Sequence, residues 1–238
     1  MRYIIFIITL LIVSSTFSQK EKPQNYKRFD EKLLHFGFML GFNRSDFIVY
    51  QNIDAYSKYG LKTLTTAKTP GGQVGIVTTM KLFTPVVRLR FIPTLSFQER
   101  VLNYTFVNKT DPNGKDLIYE KRVGSTNLNF PLMLQFRTLR LNNFAAYLLI
   151  GGQYTMDLQS QENASQNYTN PFIKIKKNDY QGQIGAGLEF FAPYFKFGME
   201  LKYSQGFKNS FIQDNTEPSN PIDRMYNNTL WISLIFEG

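Results

Sequence analysis

The sequence predicts an all-β fold, an eight-stranded antiparallel transmembrane β-barrel with short periplasmic turns and long extracellular loops. Three observations carry that prediction. A period-2 alternation of apolar with small or polar residues returns about eight times along the chain, as a wall with lipid outside and a polar lumen inside requires. Aromatic residues make up 16% of the sequence, 22 Phe and 14 Tyr among them, which suits strands with interfacial aromatic girdles. Short turns near 83–86, 138–143 and 191–194 alternate with connections of roughly twenty residues or more at 44–70, 100–123, 157–178 and 207–225, an asymmetry typical of such barrels.

The N-terminus has a separate job. Arg2 precedes an apolar run from Tyr3 to Val13, and Thr16-Phe17-Ser18 sets small residues at a cut before Gln19, so residues 1–18 read as a secretory signal peptide. That run is too short to span a bilayer comfortably, and no later stretch approaches about 18 consecutive apolar residues. With no Cys near the cut, a lipoprotein anchor is not expected. Residues 19–33, rich in Lys, Glu, Gln and Asn, read as a short periplasmic arm ahead of a barrel over residues 34–238.

The first strand is the clearest. Leu34, Phe36, Phe38, Leu40 and Phe42 alternate with His35, Gly37, Met39, Gly41 and Asn43. The second, Gln73 to Leu82, turns through Phe83-Thr84-Pro85 into a third, where Val87, Leu89, Phe91, Leu95 and Phe97 oppose Arg88, Arg90, Thr94, Ser96 and Gln98. A fourth sets Leu128, Phe130, Leu132, Leu134 and Phe136 against Asn127, Asn129, Pro131, Met133 and Gln135. Pro93 and Pro131 each lack a ladder donor, and a bulge is the expected accommodation. The fifth runs near Ala146 to Thr155, the sixth from Tyr180 to Phe190, the seventh from Phe195 to Ser204. The eighth carries Leu230, Ile232, Leu234 and Phe236 and closes the chain on an aromatic-ending strand, as a barrel-insertion signal does. An even count places both termini in the periplasm.

Bulk properties narrow the alternatives. Mean hydropathy of −0.25 is too polar for a helical bundle in a membrane. The net charge of +9, or +8 without Arg2, is spread over termini, loops and inward positions and forms no stripe for nucleic acid. A soluble sandwich or lipocalin-like barrel would also alternate, but with its apolar face inward. The loop asymmetry and the terminal strand favour the membrane barrel.

No catalytic, cofactor-binding or metal-ligating set is expected. Cysteine is absent and His35 is the lone histidine, which removes thiolate chemistry and any His pair. The inward charges Lys81, Arg88, Arg90, Glu189, Lys196, Glu200 and Lys202 adjoin short turns and should gather in the periplasmic half of the lumen, neutralising one another. Two alternative functions stay open: a lipid-modifying barrel enzyme, which would have to rely on His35 alone, and a generic small structural or adhesion barrel. The glycines from Gly182 to Gly187 have no helix after them to cradle a phosphate and should instead make room for lumen side chains.

Lys22-Pro23-Gln24-Asn25, the arm through Phe29-Asp30, and Lys32 to Asn43 resemble the start of PorT-family proteins, also called SprT in gliding bacteria. The resemblance extends through Pro131-Leu132, the Gly-rich sixth strand and the closing strand. It implies a small outer-membrane barrel of the type IX secretion system, non-enzymatic, assisting a much larger translocon. Implied partners are outer-membrane lipid and other secretion components, translocon or periplasmic subunits, and no nucleic acid. Eight strands leave no passage for a polypeptide. Action through surfaces is therefore expected: the lipid-facing wall, the arm, or loops carrying Tyr50, Tyr56 and Tyr59.

Overall fold

A computed structural model describes residues 24–108 and 114–238, so the expected signal peptide and the first part of the arm lie outside the described residues. Its strands are β1 (Leu34–Gln51), β2 (Leu61–Lys81), β3 (Val87–Phe91), β4 (Thr94–Phe106), β5 (Leu117–Arg137), β6 (Phe144–Asp157), β7 (Lys174–Ile175), β8 (Asn178–Phe191), β9 (Lys196–Gly206), β10 (Phe211–Ile212) and β11 (Ile222–Glu237). A short helix, α1 (Ala55–Tyr59), joins β1 to β2.

Every wall pairing is antiparallel, and the wall closes on itself. β1 pairs with β2 on one side and with β11 on the other; the intervening order is β3 with β4, β5, β6, β8 and β9. β3 and β4 occupy the same stave, so the ring has eight members, as expected from sequence. Closure removes the unpaired edges that an open sheet would expose.

Neither proline is accommodated by a bulge between the β3–β4 stave and β5. Phe91 pairs with Leu132 and Thr94 with Asn129, so the register is identical on both sides of a gap that sets Ile92-Pro93 against Phe130-Pro131. The missing donors fall on two neighbouring ladders: the Pro131 carbonyl accepts from Ile92 N–H at 3.4 Å, so Pro131 faces the β3–β4 stave, and the Pro93 carbonyl accepts from Ile76 N–H at 3.1 Å, so Pro93 faces β2. The irregularity in this region lies instead in β2, where the register against β4 shifts between Lys68 and Gln73, through Pro70-Gly71-Gly72.

The closing seam depends on Gly37. A Cβ at Gly37 would collide with the backbone carbonyl of Phe236 on β11. We expect Gly37→Ala to force β1 and β11 apart at a cost of about 1–3 kcal/mol. The check is the compact, fast-migrating band of unheated protein in detergent electrophoresis, which this variant should lose at a lower temperature than the parent.

The loop end departs from the sequence reading in one respect. Residues 44–70 and 100–123 were expected as long connections, but strand continues to Gln51, resumes at Leu61, reaches Phe106 and resumes at Leu117. The wall keeps its backbone ladder past the point where its outer face stops being apolar. Lys62, Thr63, Thr65 and Lys68 of β2 are exposed there, so hydrophobic alternation vanishes although the strand does not.

Candidate functional site

Facing is what distinguishes this barrel. On β1, Phe36, Phe38, Leu40 and Phe42 are exposed while His35, Met39 and Asn43 are buried; on β8, Tyr180, Ile184 and Leu188 are exposed while Gln181, Gln183 and Glu189 are buried. The same holds around the ring, with Val74, Ile76, Leu132, Leu134, Leu148, Ile150, Met199, Leu201, Ile232 and Leu234 all outward. Soluble monomers rarely expose more than a few hundred Å² of contiguous apolar surface, and a belt around every stave requires an apolar solvent.

Higher up the same strands the polarity reverses. β4 buries Ser96, Gln98 and Arg100, and then Leu102, Tyr104 and Phe106. β1 passes from buried Asn43 and Ser45 to buried Phe47. These residues join Leu61, Val123, Ile173, Ile175, Phe211, Ile222 and Met225 in an apolar core inside the loop end. A wall that is apolar outside and polar inside therefore becomes polar outside and apolar inside, which marks where it leaves lipid for water. The small sheet of β7 with β10 delivers Ile175 and Phe211 into that core and caps the loop end.

Asp214 ties the cap down. Burial works against its ionisation, but hydrogen bonds from Ser219, Thr216 and Gln166 hold its carboxyl below the ordinary value of 3.8. Stabilisation of this loop is thus present above that value and fades as acidification protonates the carboxylate.

The turn end is closed by different chemistry. Residues 24–33, read from sequence as an arm, fold into the barrel mouth. Phe29 is fully buried, packed with Ala145 and Phe191 and stacked on His35 at 3.6 Å between ring centres. The Asn25 backbone N–H donates to Asn143 Oδ1 at 2.7 Å, and Asn25 Nδ2 to the Phe191 carbonyl at 3.2 Å. Asp30 accepts from Arg88 and Arg137, each at 2.7 Å, with Arg140 at 3.7 Å.

Above this plug lies the ion network that the inward charges predict. Arg90 reaches Glu200 at 2.8 Å, Glu237 at 3.4 Å and Glu189 at 3.6 Å. Lys196 bridges Glu189, at 2.8 Å, and Glu237, and Lys202 holds Glu200 at 2.9 Å. Tyr147 donates its hydroxyl to Glu200 at 2.9 Å, and its ring fits only because residue 187 is glycine, where any Cβ would strike it. Of the residues expected in the cluster, Lys81 stays at the rim, bonding the Asp30 and Glu31 carbonyls at 3.1 and 3.2 Å. Sequence reasoning missed Glu237, Arg137, Arg140 and Asp30. Arg137 and Glu237 were findable, since each continues the inward parity of its strand by one step.

Two further layers fill the lumen. Met39, Val77, Ile92 and Ile235 make an apolar layer, with Met133 and Leu149 beside it. Beyond it a polar ladder runs through Gln73 to Ser233 at 3.0 Å, Asn129 to Ser96 at 2.8 Å and Gln183 to Gln153 at 2.6 Å, ending at Arg100 over the Phe47 ring. Tyr50 and Tyr56 are exposed on the loop end, and Tyr59 is half-buried. On the outer wall, Phe136, Ala146, Leu148, Ala186, Leu188 and Leu201 border an apolar recess of about 640 Å³. Among the described residues no group of three or more His, Cys, Asp or Glu side chains is placed to hold a metal ion.

A family model described as "Outer membrane protein beta-barrel domain" matches residues 17–212. Among solved structures, the outer membrane protein OprG from Pseudomonas aeruginosa is similar at 14% identity and a TM-score of 0.43, over 86% of this chain and 92% of that one. No curated protein matches the chain.

Proposed function

The chain belongs to the outer membrane protein beta-barrel domain family, and from that premise we propose that it serves the type IX protein secretion system as a non-enzymatic accessory of a larger translocon. The observation that carries the mode of action is the filled lumen: a plug, an ion network, an apolar layer, a polar ladder and a capped loop end lie in series. A barrel packed in this way offers no route to a polypeptide, so its contribution to export lies in its surfaces. The tie to this secretion system rests on the resemblance of residues 22–43 to the PorT family.

In this reading the short turns and both termini face the periplasm and the capped end faces outward. Surfaces available to partners are the apolar recess around Ala146 and Ala186 and the outer aromatics Tyr50 and Tyr56. A non-enzymatic role agrees with His35, which is 1% exposed, stacked on Phe29, and has neither ring nitrogen hydrogen-bonded among the described residues. A general base would need a proton donor within reach and access to substrate.

Purification of the tagged protein in mild detergent, followed by mass spectrometry, should recover translocon or periplasmic secretion components. Deleting the gene should stop cargo export with the membrane otherwise intact. Normal export without this protein would refute the proposal.

A further inference from the structure

Among the described residues the turn-end network sets six cationic side chains against four carboxylates, and the imbalance centres on one removable carboxylate. Arg88, Arg90, Arg137, Arg140, Lys196 and Lys202 face Asp30, Glu189, Glu200 and Glu237. Among the described residues Arg88 has no carboxylate within salt-bridge distance except Asp30, although it is fully buried. Its Nε and Nη1 groups, and Nε of Arg137, have no acceptor among the described residues.

Asp30 is unlike the other three acids. They belong to the wall and are buried, whereas Asp30 sits on the inserted arm with its side chain 28% exposed. It can therefore leave its position without opening the barrel wall, and solvent at the turn end already reaches it.

We propose that Arg88, Arg137 and Arg140 form a binding site for a small oxyanion of the phosphate class, and that Asp30 is its built-in occupant. Guanidinium groups take carboxylate and phosphate oxygens in the same forked geometry, so the two compete for the same donors. The arm and the free oxyanion are then linked: whatever binds the arginines loosens the arm, and whatever removes Asp30 strengthens oxyanion binding. The oxyanion has two possible sources, free phosphate in the aqueous phase and the phosphate of a lipid headgroup at the rim.

The test uses the full-length protein in detergent micelles with two probes, inorganic phosphate and short-chain phosphatidylglycerol, each titrated by calorimetry. Asp30→Ala should bind at least one probe about 10-fold tighter than the parent, and the preferred probe identifies the source. Adding Arg88→Gln to that variant should abolish the gain. Because the chain has no cysteine, a single cysteine placed at Asn25 reports the arm: saturating probe should raise its labelling rate in the parent protein. If Asp30→Ala folds poorly, judged by its unheated electrophoretic mobility, Asp30→Asn replaces it. Equal affinity of parent and Asp30 variants for both probes, or a labelling rate unmoved by saturating probe, would overturn the proposal.

Discussion

Replacing Arg90 with Ala should cost the folded barrel about 3–5 kcal/mol, one of the two largest effects expected of a single substitution in this chain. Among the described residues Arg90 alone touches Glu189, Glu200 and Glu237 together, at 2.8 to 3.6 Å. It also donates to Thr79 at 3.3 Å and lies over the Tyr147 ring at 5.1 Å. Its removal leaves three carboxylates, none more than 3% exposed, with Lys196, Lys202 and Arg137 as their remaining charged partners among the described residues. The penalty comes from stranded charge and not from lost packing. Arg90→Lys, which keeps the charge but loses the fork, should fall between Ala and the parent. Urea midpoints for unfolding from lipid vesicles measure the difference. An Arg90→Ala midpoint equal to that of the parent would mean that the network is wet and the lumen not closed.

The second large effect is expected on the opposite face. Ile184→Arg places a guanidinium in the middle of the outer belt of β8 and should cost about 2–4 kcal/mol, because nothing in hydrocarbon replaces its hydration. Thr65→Arg makes a matched control. Thr65 is outward and exposed on β2, in the stretch where the interior is apolar and the exterior polar, so the same side chain there meets water and should change stability by less than about 0.5 kcal/mol. The contrast isolates the solvent, since both sites lie on the outside of one continuous wall. Equal costs at the two sites would place them in the same medium.

Most of the wall was legible in the sequence because alternation and lipid exposure are one signal. Wherever the outer face is apolar, from Phe36 to Phe42 or from Tyr180 to Phe190, strand and facing follow directly. The strand extensions were hidden for the converse reason. Beyond Arg44 and before Gln73 the outer face is polar, and the reversed alternation of Leu102, Tyr104 and Phe106 against Asn103 and Thr105 looks like an ordinary loop unless an apolar interior is expected there. The inward charges at 88, 90, 189, 196, 200 and 202 came together as their parity demands. The plug could not be read in advance. Phe29-Asp30 lies in an aperiodic polar stretch, and only the mouth it enters, with His35 beneath Phe29 and three arginines around Asp30, gives those two residues their meaning.

Single-cysteine spin labels walked along β8 from Gln181 to Leu188, with the protein in lipid vesicles, test the inside-out wall most directly. The expected pattern has period 2. Labels at Ile184, Ala186 and Leu188 collide freely with oxygen dissolved in the bilayer, while labels at Gln181 and Gln183 are immobile and reach neither oxygen nor a water-soluble quencher. A uniform profile, or labels at Gln181 and Gln183 open to the aqueous quencher, would contradict a wall that turns its apolar face to lipid and closes around a filled interior.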